Sequence, residues 1–443
     1  MKNKSYCLIS LGCAKNTVNS QSMANLLNNA GFSVENTHGQ AEFIIVNTCG
    51  FIKAARQESI DLLTELAEGK QKGQILIAAG CLPERIRHNI LKEVPDIDAV
   101  LGSQRWMDIL QIIRKIKTSG KFQEPFVHLS DNEMLIDPAV DIPRVAIQGK
   151  SAYLKVADGC RHSCGFCSIP LIKGTKRSRP FKDIIKEALM LQDLGINEIN
   201  LIAQDTTDYG FDLGIKNGLA KLLEQLVEEI PEVPWIRVLY AYPGNVSRLL
   251  IETMAVNNQI LPYLDMPLQH AHPDILRRMQ RPADMEWVYK TIKKMRSDMP
   301  ELALRSTFIV GYPGETEREF EYLLDFISEI RFDHLGAFTF SFETGTPSEP
   351  LGDPVPTEIK VSRMERLMLA QEKISQEILR NFKNSTLAVL IEGANDGISV
   401  GRSYRDAPEI DGFVFVEGEK PIGEFVNVQI TDTMTHDLFG QEI

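Results

Sequence analysis

The sequence predicts an α/β protein built from three parts: a doubly wound parallel sheet of flavodoxin-like type, a full or partial TIM-like barrel, and a small terminal β-barrel. Strand and helix patterns alternate over residues 4–118 and again, in six βα units, from residue 153 onward. Residues 384–443 instead contain short β-like runs punctuated by Gly and Asp. The length of 443 residues also exceeds what one ordinary core supports, so several domains are expected.

The first α/β series begins with a short apolar strand and alternates regularly after it. Its strands are predicted at residues 6–10, 43–46, 75–79 and 98–101, and its helices at 17–29, 52–68, 83–91 and 106–116. Gly31 is expected to end the first helix, and Pro83 falls in the first turn of the third, where Pro is tolerated. Residues 119–147 are rich in Gly, Pro and Asp without a clear period. We interpret them as a linker with room for an edge hairpin.

The second series predicts a barrel, whose active site would face the carboxyl ends of its strands. The strands are predicted at residues 153–157, 198–203, 235–240, 263–267, 304–310 and 335–340, and the helices at 182–194, 219–229, 246–257, 285–297 and 316–330. A long amphipathic helix over 357–382 precedes β-like runs at 387–391, 413–416 and 425–430. The predicted domains are therefore 1–118, a linker at 119–147, 148–383 and 384–443.

Three dispersed cysteines occupy equivalent places in the first series. Cys13, Cys49 and Cys81 each lie just past the carboxyl end of a predicted strand. Open α/β sheets bind ligands in the crevice outside these ends, so parallel strands would bring the three thiols together. A shared metal or cluster site is predicted, against the alternative of three cysteines buried as small hydrophobes. Cys7 lies inside a strand and is predicted to belong to the core.

A second, tight group of cysteines follows the first barrel strand. Cys160, Cys164 and Cys167 form the spacing C-x3-C-x2-C, and no cysteine follows Cys167 in the chain. His162 inside this loop invites a zinc interpretation, but a closed zinc site needs four ligands and prefers C-x2-C pairs. Three thiolates instead suit a cubane iron–sulfur cluster with one iron left open.

This spacing, with Phe166 before the last cysteine, resembles the signature of the radical S-adenosylmethionine (SAM) superfamily. In that superfamily the open iron chelates the amino and carboxylate groups of SAM, and the reduced cluster cleaves SAM to a radical that abstracts an unactivated hydrogen. The resemblance implies a 4Fe–4S cluster on Cys160, Cys164 and Cys167 and makes SAM a cofactor. Phe166 is a candidate SAM contact.

Residues near other strand ends are further candidates for binding SAM. Gln204 ends the second barrel strand and Gln269 the fourth, while Arg305, Thr307 and Ile309 lie on the fifth. Under the resemblance, Arg305 could pair with the methionine carboxylate and Ile309 could stack near adenine. For any one of them alone, a capped strand end or a surface ion pair is an equally good interpretation.

The domain order narrows the resemblance. A domain with three dispersed cysteines, a radical SAM barrel and a small β-barrel is similar, over essentially the whole chain, to the methylthiotransferases. The resemblance implies that Cys13, Cys49 and Cys81 hold a second 4Fe–4S cluster, whose open iron takes the sulfur or methylthio group to be inserted. It also implies that SAM serves twice, as methyl donor and as radical source, and that an electron donor such as flavodoxin or ferredoxin and a sulfur donor take part.

Two branches of that family differ in substrate. One modifies adenosine in tRNA, and the other adds a methylthio group to the β-carbon of an aspartate in the twelfth small-subunit ribosomal protein. The runs at residues 10–13, 157–160, 203–207 and 404–412 are similar to the second branch. Ala14 departs from the Pro usual there, but neither residue ligates metal. A tRNA adenosine methylthiotransferase and a non-catalytic iron–sulfur scaffold or redox sensor on the ribosome remain the alternatives.

The charge of the terminal β-barrel helps to separate these partners. It resembles the TRAM domain, which binds RNA in tRNA-modifying relatives. Residues 384–443 contain eleven acidic residues against three basic ones, a net charge of −8 out of −12 for the chain. An RNA-binding surface should be basic, whereas an acidic one suits a basic protein loop, as in ribosomal proteins. The acid could also simply solvate a small β-domain.

The overall composition is that of an ordinary globular chain, with 43% hydrophobic and 24% charged residues and a pI near 5.3. No apolar run approaches the roughly 18–20 residues that span a bilayer. The apolar stretch within residues 1–16 is also shorter than a secretory signal requires. A cytoplasmic protein without a membrane partner is the expectation, with tRNA disfavoured as a partner by the acidic balance.

Overall fold

The computed structural model describes residues 4–119, 124–131 and 142–443, which form two large sheets flanked by helices and one closed β-barrel. The first sheet is wholly parallel, in the order Ser33–Val34, Ser5–Ser10, Phe43–Thr48, Ile75–Gly80, Ala99–Gly102 and Phe126–His128. The strand nearest the amino terminus lies inside the sheet, which is the flavodoxin-like order that alternating β and α elements predict.

The helices of the first sheet keep the predicted positions with one exception. Their bounds are Ala14–Asn29, Lys53–Glu68, Cys81–Ile86, Ile90–Glu93 and Ile109–Ser119. The prediction of a single helix over 83–91 is wrong because Arg87, at φ +54°, has a left-handed backbone that interrupts the α-helical path. Gly31 does follow the end of the first helix, with a φ of +78°.

The predicted linker contributes a strand to each large sheet. Phe126–His128 lies at the edge of the first sheet, parallel to Ala99–Gly102. Val145–Gln148 pairs antiparallel with Ser151–Lys155. An edge hairpin therefore begins at the end of the predicted linker and is completed by the first barrel strand. Two parts of the linker, residues 120–123 and 132–141, lie outside the described residues.

The second sheet is a partial barrel of six parallel strands closed on one side by the hairpin strand. Its order is His334–Thr339, Ala303–Val310, Ile260–Asp265, Trp235–Val238, Glu198–Ile202, Ser151–Lys155 and Val145–Gln148. The surrounding helices are Ile169–Lys173, Phe181–Asp193, Gly218–Glu229, Arg248–Val256, Pro273–Arg278, Met285–Asp298, Glu317–Ile330 and Thr357–Arg380. Because each parallel strand is followed by a crossover helix, all six carboxyl ends face the same rim.

The carboxyl-terminal strands close into a barrel in the order Thr386–Asn395, Ile398–Arg402, Val414–Glu417, Leu438–Glu442 and Phe425–Thr433. Two of these strands, Ile398–Arg402 and Leu438–Glu442, are not predicted by the sequence because each is short and contains a glycine. The glycine has a packing reason: a Cβ on Gly401 would lie 2.4 Å from the carbonyl oxygen of Leu390 on the facing strand.

The terminal barrel docks on the second sheet through buried ion pairs. Arg402 of the terminal barrel contacts Glu198 at 2.5 Å, and Glu198 also accepts from Arg237 Nε at 2.9 Å. Asp411 reaches Tyr263 and Arg305 of the second sheet. Glu198 opens the strand that ends just before Gln204, so this contact lies at the opposite end of that strand from the rim. Among the described residues, no helix is long and apolar enough to cross a membrane.

Candidate active site

All six predicted cluster ligands line one cavity. Its volume is about 350 Å³, and it lies where the carboxyl rim of the first sheet meets that of the second. The cysteines on its wall are Cys13, Cys49, Cys81, Cys160, Cys164 and Cys167. All are free thiols, as is Cys7, which is buried within its strand as predicted. Two cysteine groups separated by 79 residues in the chain, from Cys81 to Cys160, therefore share one chamber.

Asn16 ties together the loops that carry the first three cysteines. Its amide Nδ2 donates to the carbonyl oxygens of Leu11 and Thr48, each at 3.0 Å, and its Oδ1 lies 3.4 Å from the thiol of Cys81. Asn47 donates in turn to the Asn16 carbonyl oxygen at 2.9 Å. One buried side chain thus contacts the ends of three neighbouring strands, because parallel strands end at one rim.

Gly80 makes room for this network. It has a φ of +97°, and a Cβ there would lie 2.3 Å from Asn47 Oδ1. Only glycine adopts this backbone without strain and leaves the Asn47 amide in place. The dipeptide of Gly80 and Cys81 is therefore a geometric requirement of the cysteine site rather than a general turn.

We expect Asn16→Ala to lose iron from the amino-terminal site. The substitution removes the donor to the half-buried Leu11 and the buried Thr48 carbonyl oxygens, at about 1–3 kcal/mol for the buried one, and frees the Cys81 loop. Iron per chain after anaerobic reconstitution should fall, while SAM cleavage persists. Asn29→Ala, at the exposed end of the same helix, is the matched control and should keep the full iron content. Full iron in Asn16→Ala would show that the network does not position the thiols.

The loop that carries the second cysteine group is clamped from both sides. The His162 ring stacks on Tyr242, with centroids 3.6 Å apart, and its Nε2 lies 2.9 Å from Asp205 Oδ2. Arg161 makes a two-pronged ion pair with Asp208 at 2.8 and 2.9 Å. His162 is thus engaged by a carboxylate and an aromatic ring, which fits a loop-positioning role better than the zinc ligation that the sequence invited.

Burial sets the acidity of the thiols. It raises the pKa of Cys81 and of Cys160 to about 11 and that of Cys167 to about 12. For Cys13, burial acts in the same sense, but Lys15 and the backbone N–H groups of the helix start outweigh it and lower the pKa. A bound cation stabilises the thiolate form and displaces the thiol proton, so three cysteines at each group fit iron held by three thiolates.

Three of the predicted SAM contacts lie in the cavity wall: Phe166, Gln204 and Gln269. Gln204 Oε1 is buried and, among the described residues, has no hydrogen-bond partner, so it is an acceptor available to a ligand. Gln269 has a φ of +75°, and Tyr240, also in the wall, has a φ of +64°. Strained backbone of this kind in non-glycine residues is concentrated at functional sites.

The other three predicted SAM contacts, Arg305, Thr307 and Ile309, are not part of the cavity wall. Arg305 is outside the cavity wall, and its guanidinium contacts Asp265 at 3.1 Å and Asp411 at 3.2 Å. It is the third residue of its eight-residue strand, well below the rim, and both its carboxylate partners are buried. Its guanidinium is thus already engaged by two carboxylates, and its pairing with the SAM carboxylate stays a prediction. Ile309, likewise outside the wall, packs in a small apolar cluster with Phe166.

Several residues of the wall escaped sequence reasoning. They include Lys15, Asn16, Tyr240, Tyr242 and Arg281. Lys15 and Asn16 lie two and three residues after Cys13, and the two tyrosines follow the third barrel strand. Nearness to a strand end was therefore the signal that could have found them. No sequence signal pointed to Arg281, because it lies 117 residues after Cys164 in the chain. Its guanidinium nevertheless lies 3.6 Å from Cys164 Sγ.

A partial parallel barrel whose first strand leads into a C-x3-C-x2-C loop, facing a cavity with an unpartnered glutamine, defines a radical SAM enzyme. Family models agree: the radical SAM superfamily matches residues 154–327, the uncharacterized family UPF0004 matches 5–102, and the TRAM domain matches 385–443. The relatives named ribosomal protein uS12 methylthiotransferase RimO include one from Chloroflexus aurantiacus, 44% identical with 99% of both chains covered. Another, from Microcystis aeruginosa, is 43% identical over the full length of both. The chain belongs to the RimO family.

Solved structures agree on the fold. The radical SAM methyltransferase TsrM from Kitasatospora setae superposes with a TM-score of 0.57 at 12% identity, covering 89% of this chain and 79% of that one. The cobalamin-dependent SAM radical enzyme OxsB gives a TM-score of 0.52 at 14% identity, covering 84% and 56%. At these identities the likeness extends to the fold alone.

Proposed function

We propose that this protein is a radical SAM methylthiotransferase that replaces a hydrogen on the β-carbon of an aspartate in ribosomal protein uS12 with a methylthio group. The observation that carries the proposal is the shared cavity: both cysteine groups face one space of about 350 Å³. A reaction that must remove a hydrogen and insert sulfur at the same carbon needs both functions within reach of one substrate atom. The names of the full-length relatives support uS12 as the substrate.

In this proposal the two cysteine groups hold two 4Fe–4S clusters. Cys160, Cys164 and Cys167 hold the one that binds SAM, and Cys13, Cys49 and Cys81 hold the second. When bound, these groups supply the hydrogen-abstracting radical and the sulfur that is inserted. The protein's part is to hold the thiolates. Asn16 positions the first cysteine group, and the contacts of His162 with Asp205 and Tyr242 position the second.

The remaining wall residues orient the cofactor and exclude water. Gln204 Oε1 offers an acceptor to an amino or hydroxyl group of SAM, and Gln269 and Phe166 line the same cavity. Arg281 stacks its guanidinium over the Tyr242 ring, 4.2 Å from its centroid, beside Cys164. The wall is mostly apolar or aromatic, which protects a reactive radical from side reactions.

The surface of the terminal barrel favours a basic protein partner over tRNA. Its exposed acidic residues are Glu392, Asp396, Glu409, Glu417, Glu419, Glu424, Asp432 and Glu442. Two of its three basic residues, Arg402 and Arg405, are buried, and the third, Lys420, pairs with Glu442. The barrel therefore exposes less positive charge than its composition suggests. Such a surface repels phosphates and attracts a basic loop.

Further parts of the proposal rest on the family resemblance. The proposed domains are 1–118, a linker at 119–147 that gives an edge strand to each large sheet, 148–383 and 384–443. A flavodoxin or ferredoxin supplies the electron, and a separate donor supplies sulfur. The protein works in the cytoplasm, where the ribosomal substrate is made. No membrane partner is involved.

The proposal is tested by mass spectrometry. In cells with the gene, uS12 should carry a mass increment of one methylthio group in place of hydrogen, and deletion of the gene should remove it. The reconstituted protein with SAM and dithionite should form 5′-deoxyadenosine and transfer the same increment to a uS12 peptide. A uS12 mass that does not change on deletion, with loss of a methylthio group from tRNA adenosine instead, would establish the tRNA enzyme. An absence of 5′-deoxyadenosine would favour the non-catalytic scaffold.

A further inference from the structure

Lys15 places a positive charge at the seam between the two cysteine groups. It is the second residue after Cys13, in the first turn of the helix Ala14–Asn29, and its side chain lines the cavity. Its ammonium nitrogen lies 3.0 Å from the centroid of the Tyr240 ring, which belongs to the second sheet. The side chain thus spans from the ligand loop of the first sheet to the rim of the second.

The Lys15 ammonium has no counter-ion among the residues that the structure describes. Among the described residues, no carboxylate oxygen lies within 4.0 Å of the Lys15 ammonium, and its nearest charged neighbours are Cys13, Asp265 and Lys173. Asp265 is itself held by Arg305 at 3.1 Å. Lys155 shows the contrast, because that fully buried ammonium contacts Asp158 at 3.0 Å and Asn19 at 2.5 Å, whereas Lys15 is half-buried and faces the cavity. A half-buried cation that faces a cavity without an anion is a place where a bound ligand can supply one.

The whole cavity has the same bias. Its described wall contains three cationic side chains, Lys15, Lys173 and Arg281, and no carboxylate. Arg281 is committed to the SAM side, since it donates to the Pro267 carbonyl oxygen and approaches Cys164 Sγ. Lys173 follows the second ligand loop and lies near Cys81. Lys15 alone bridges Cys13 to the strained Tyr240 on the barrel rim.

We propose that Lys15 binds the side-chain carboxylate of the substrate aspartate. The inference rests on the proposed function and names how that site selects its substrate. The carboxylate carbon is bonded directly to the β-carbon that reacts, so the group that holds it must lie within a few ångströms of the reacting atom. Lys15 lies between the thiols on the sulfur side and the rim on the SAM side, where such a carbon has to be held.

The test compares two peptides on the reconstituted holoenzyme in the presence of SAM. One carries the target aspartate and the other carries the neutral isostere asparagine. The wild type should bind the aspartate peptide roughly 10- to 100-fold more tightly, the range expected for a charge-assisted hydrogen bond. Lys15→Gln should bind both peptides equally, and Lys15→Arg should restore the preference. Iron per chain and SAM-dependent 5′-deoxyadenosine formation without peptide are measured for each variant, and peptide binding is compared at equal cluster content.

Several outcomes would overturn the inference. Lys15→Gln could keep the full preference, Lys173→Gln could abolish it in place of Lys15→Gln, or Lys15→Gln could raise the SAM concentration required instead. If Lys15→Gln binds neither peptide, Lys15→Arg decides, because a variant that keeps the charge but shows no preference contradicts the assignment. A wild type that methylthiolates no uS12 peptide would refute the proposed function itself. An active and selective wild type with an indifferent Lys15 would refute only this inference.

Discussion

Replacing Cys160, Cys164 and Cys167 together with alanine is expected to abolish SAM cleavage, and with it every later step. Replacing Cys13, Cys49 and Cys81 is expected to leave 5′-deoxyadenosine formation intact and to stop sulfur insertion. The reason is that both groups face one cavity, but only the C-x3-C-x2-C loop lies within the radical SAM match at residues 154–327, and Cys13, Cys49 and Cys81 lie outside it. Each triple variant should hold roughly half of the wild-type iron.

The readouts are iron per chain, 5′-deoxyadenosine and methylthiolated peptide, measured on the same anaerobic samples. Cys7→Ala is the matched control. Cys7 is buried like Cys81 and Cys164 but lies inside its strand and outside the cavity, so all three quantities should match the wild type. If both triples lost SAM cleavage alike, or if either one retained all the iron, the two-site division would be wrong.

Glu198→Gln is expected to lower the free energy of unfolding by about 3–5 kcal/mol, the usual cost of removing one partner from a buried ion pair. The Glu198 carboxylate is fully buried and accepts from Arg402 at 2.5 Å, Arg237 at 2.9 Å and Ser151 at 2.6 Å. A neutral amide leaves two guanidiniums facing each other where the terminal barrel docks. Urea unfolding followed by circular dichroism measures the loss.

Glu392→Gln is the matched control for this pair. Glu392 contacts the same Arg402 at 2.6 Å, but its side chain is 33% exposed, so water replaces the lost contact and the expected cost is about 0–1 kcal/mol. Equal losses in the two variants would mean that burial of the pair does not govern its contribution. A loss confined to Glu198→Gln would assign the docking energy to the buried contact.

The same carboxylate gives a pH dependence with a definite sign. Burial acts to raise the pKa of Glu198, but Arg402 and Arg237 outweigh it and lower the pKa from 4.5 to about 2. A lowered folded-state pKa contributes stability that is complete above about pH 4.5 and fades as the pH falls towards 2. The stability gap between the wild type and Glu198→Gln should therefore shrink by about 1.4 kcal/mol between pH 7 and pH 3.5. A constant gap would contradict the lowered pKa.

The family and the ligand cysteines could be predicted from local pattern. The C-x3-C-x2-C spacing is contiguous in sequence, and Cys13, Cys49 and Cys81 each end a strand whose period is legible. Parallel strands then force the ends to one rim, so the grouping followed from topology without coordinates. The helix at 83–91 failed because the left-handed Arg87 carries no composition signal. The two strands missed in the terminal barrel are short and contain glycine.

The placement of charged side chains was beyond the sequence. Arg305 is predicted as a SAM contact because it lies on a strand that runs to the rim. In the structure its guanidinium pairs with Asp411, which lies 106 residues later in the chain. The net charge of −8 in residues 384–443 was correct as a sum, but only the folded barrel shows that Arg402 and Arg405 are buried. Ion pairs depend on distances across domains, which no local pattern encodes.

The sequence by itself determined which residues can hold iron, which strands carry them and which family the chain resembles, because those features depend on spacing and period. Only the tertiary structure decided that the two cysteine groups share one cavity and that Lys15 stands between them with no counter-ion among the residues that the structure describes. The physical reason is that a cavity is formed by the rims of two sheets whose mutual packing is fixed by contacts far apart in the chain. Local propensity fixes each rim, and long-range packing fixes the space between them.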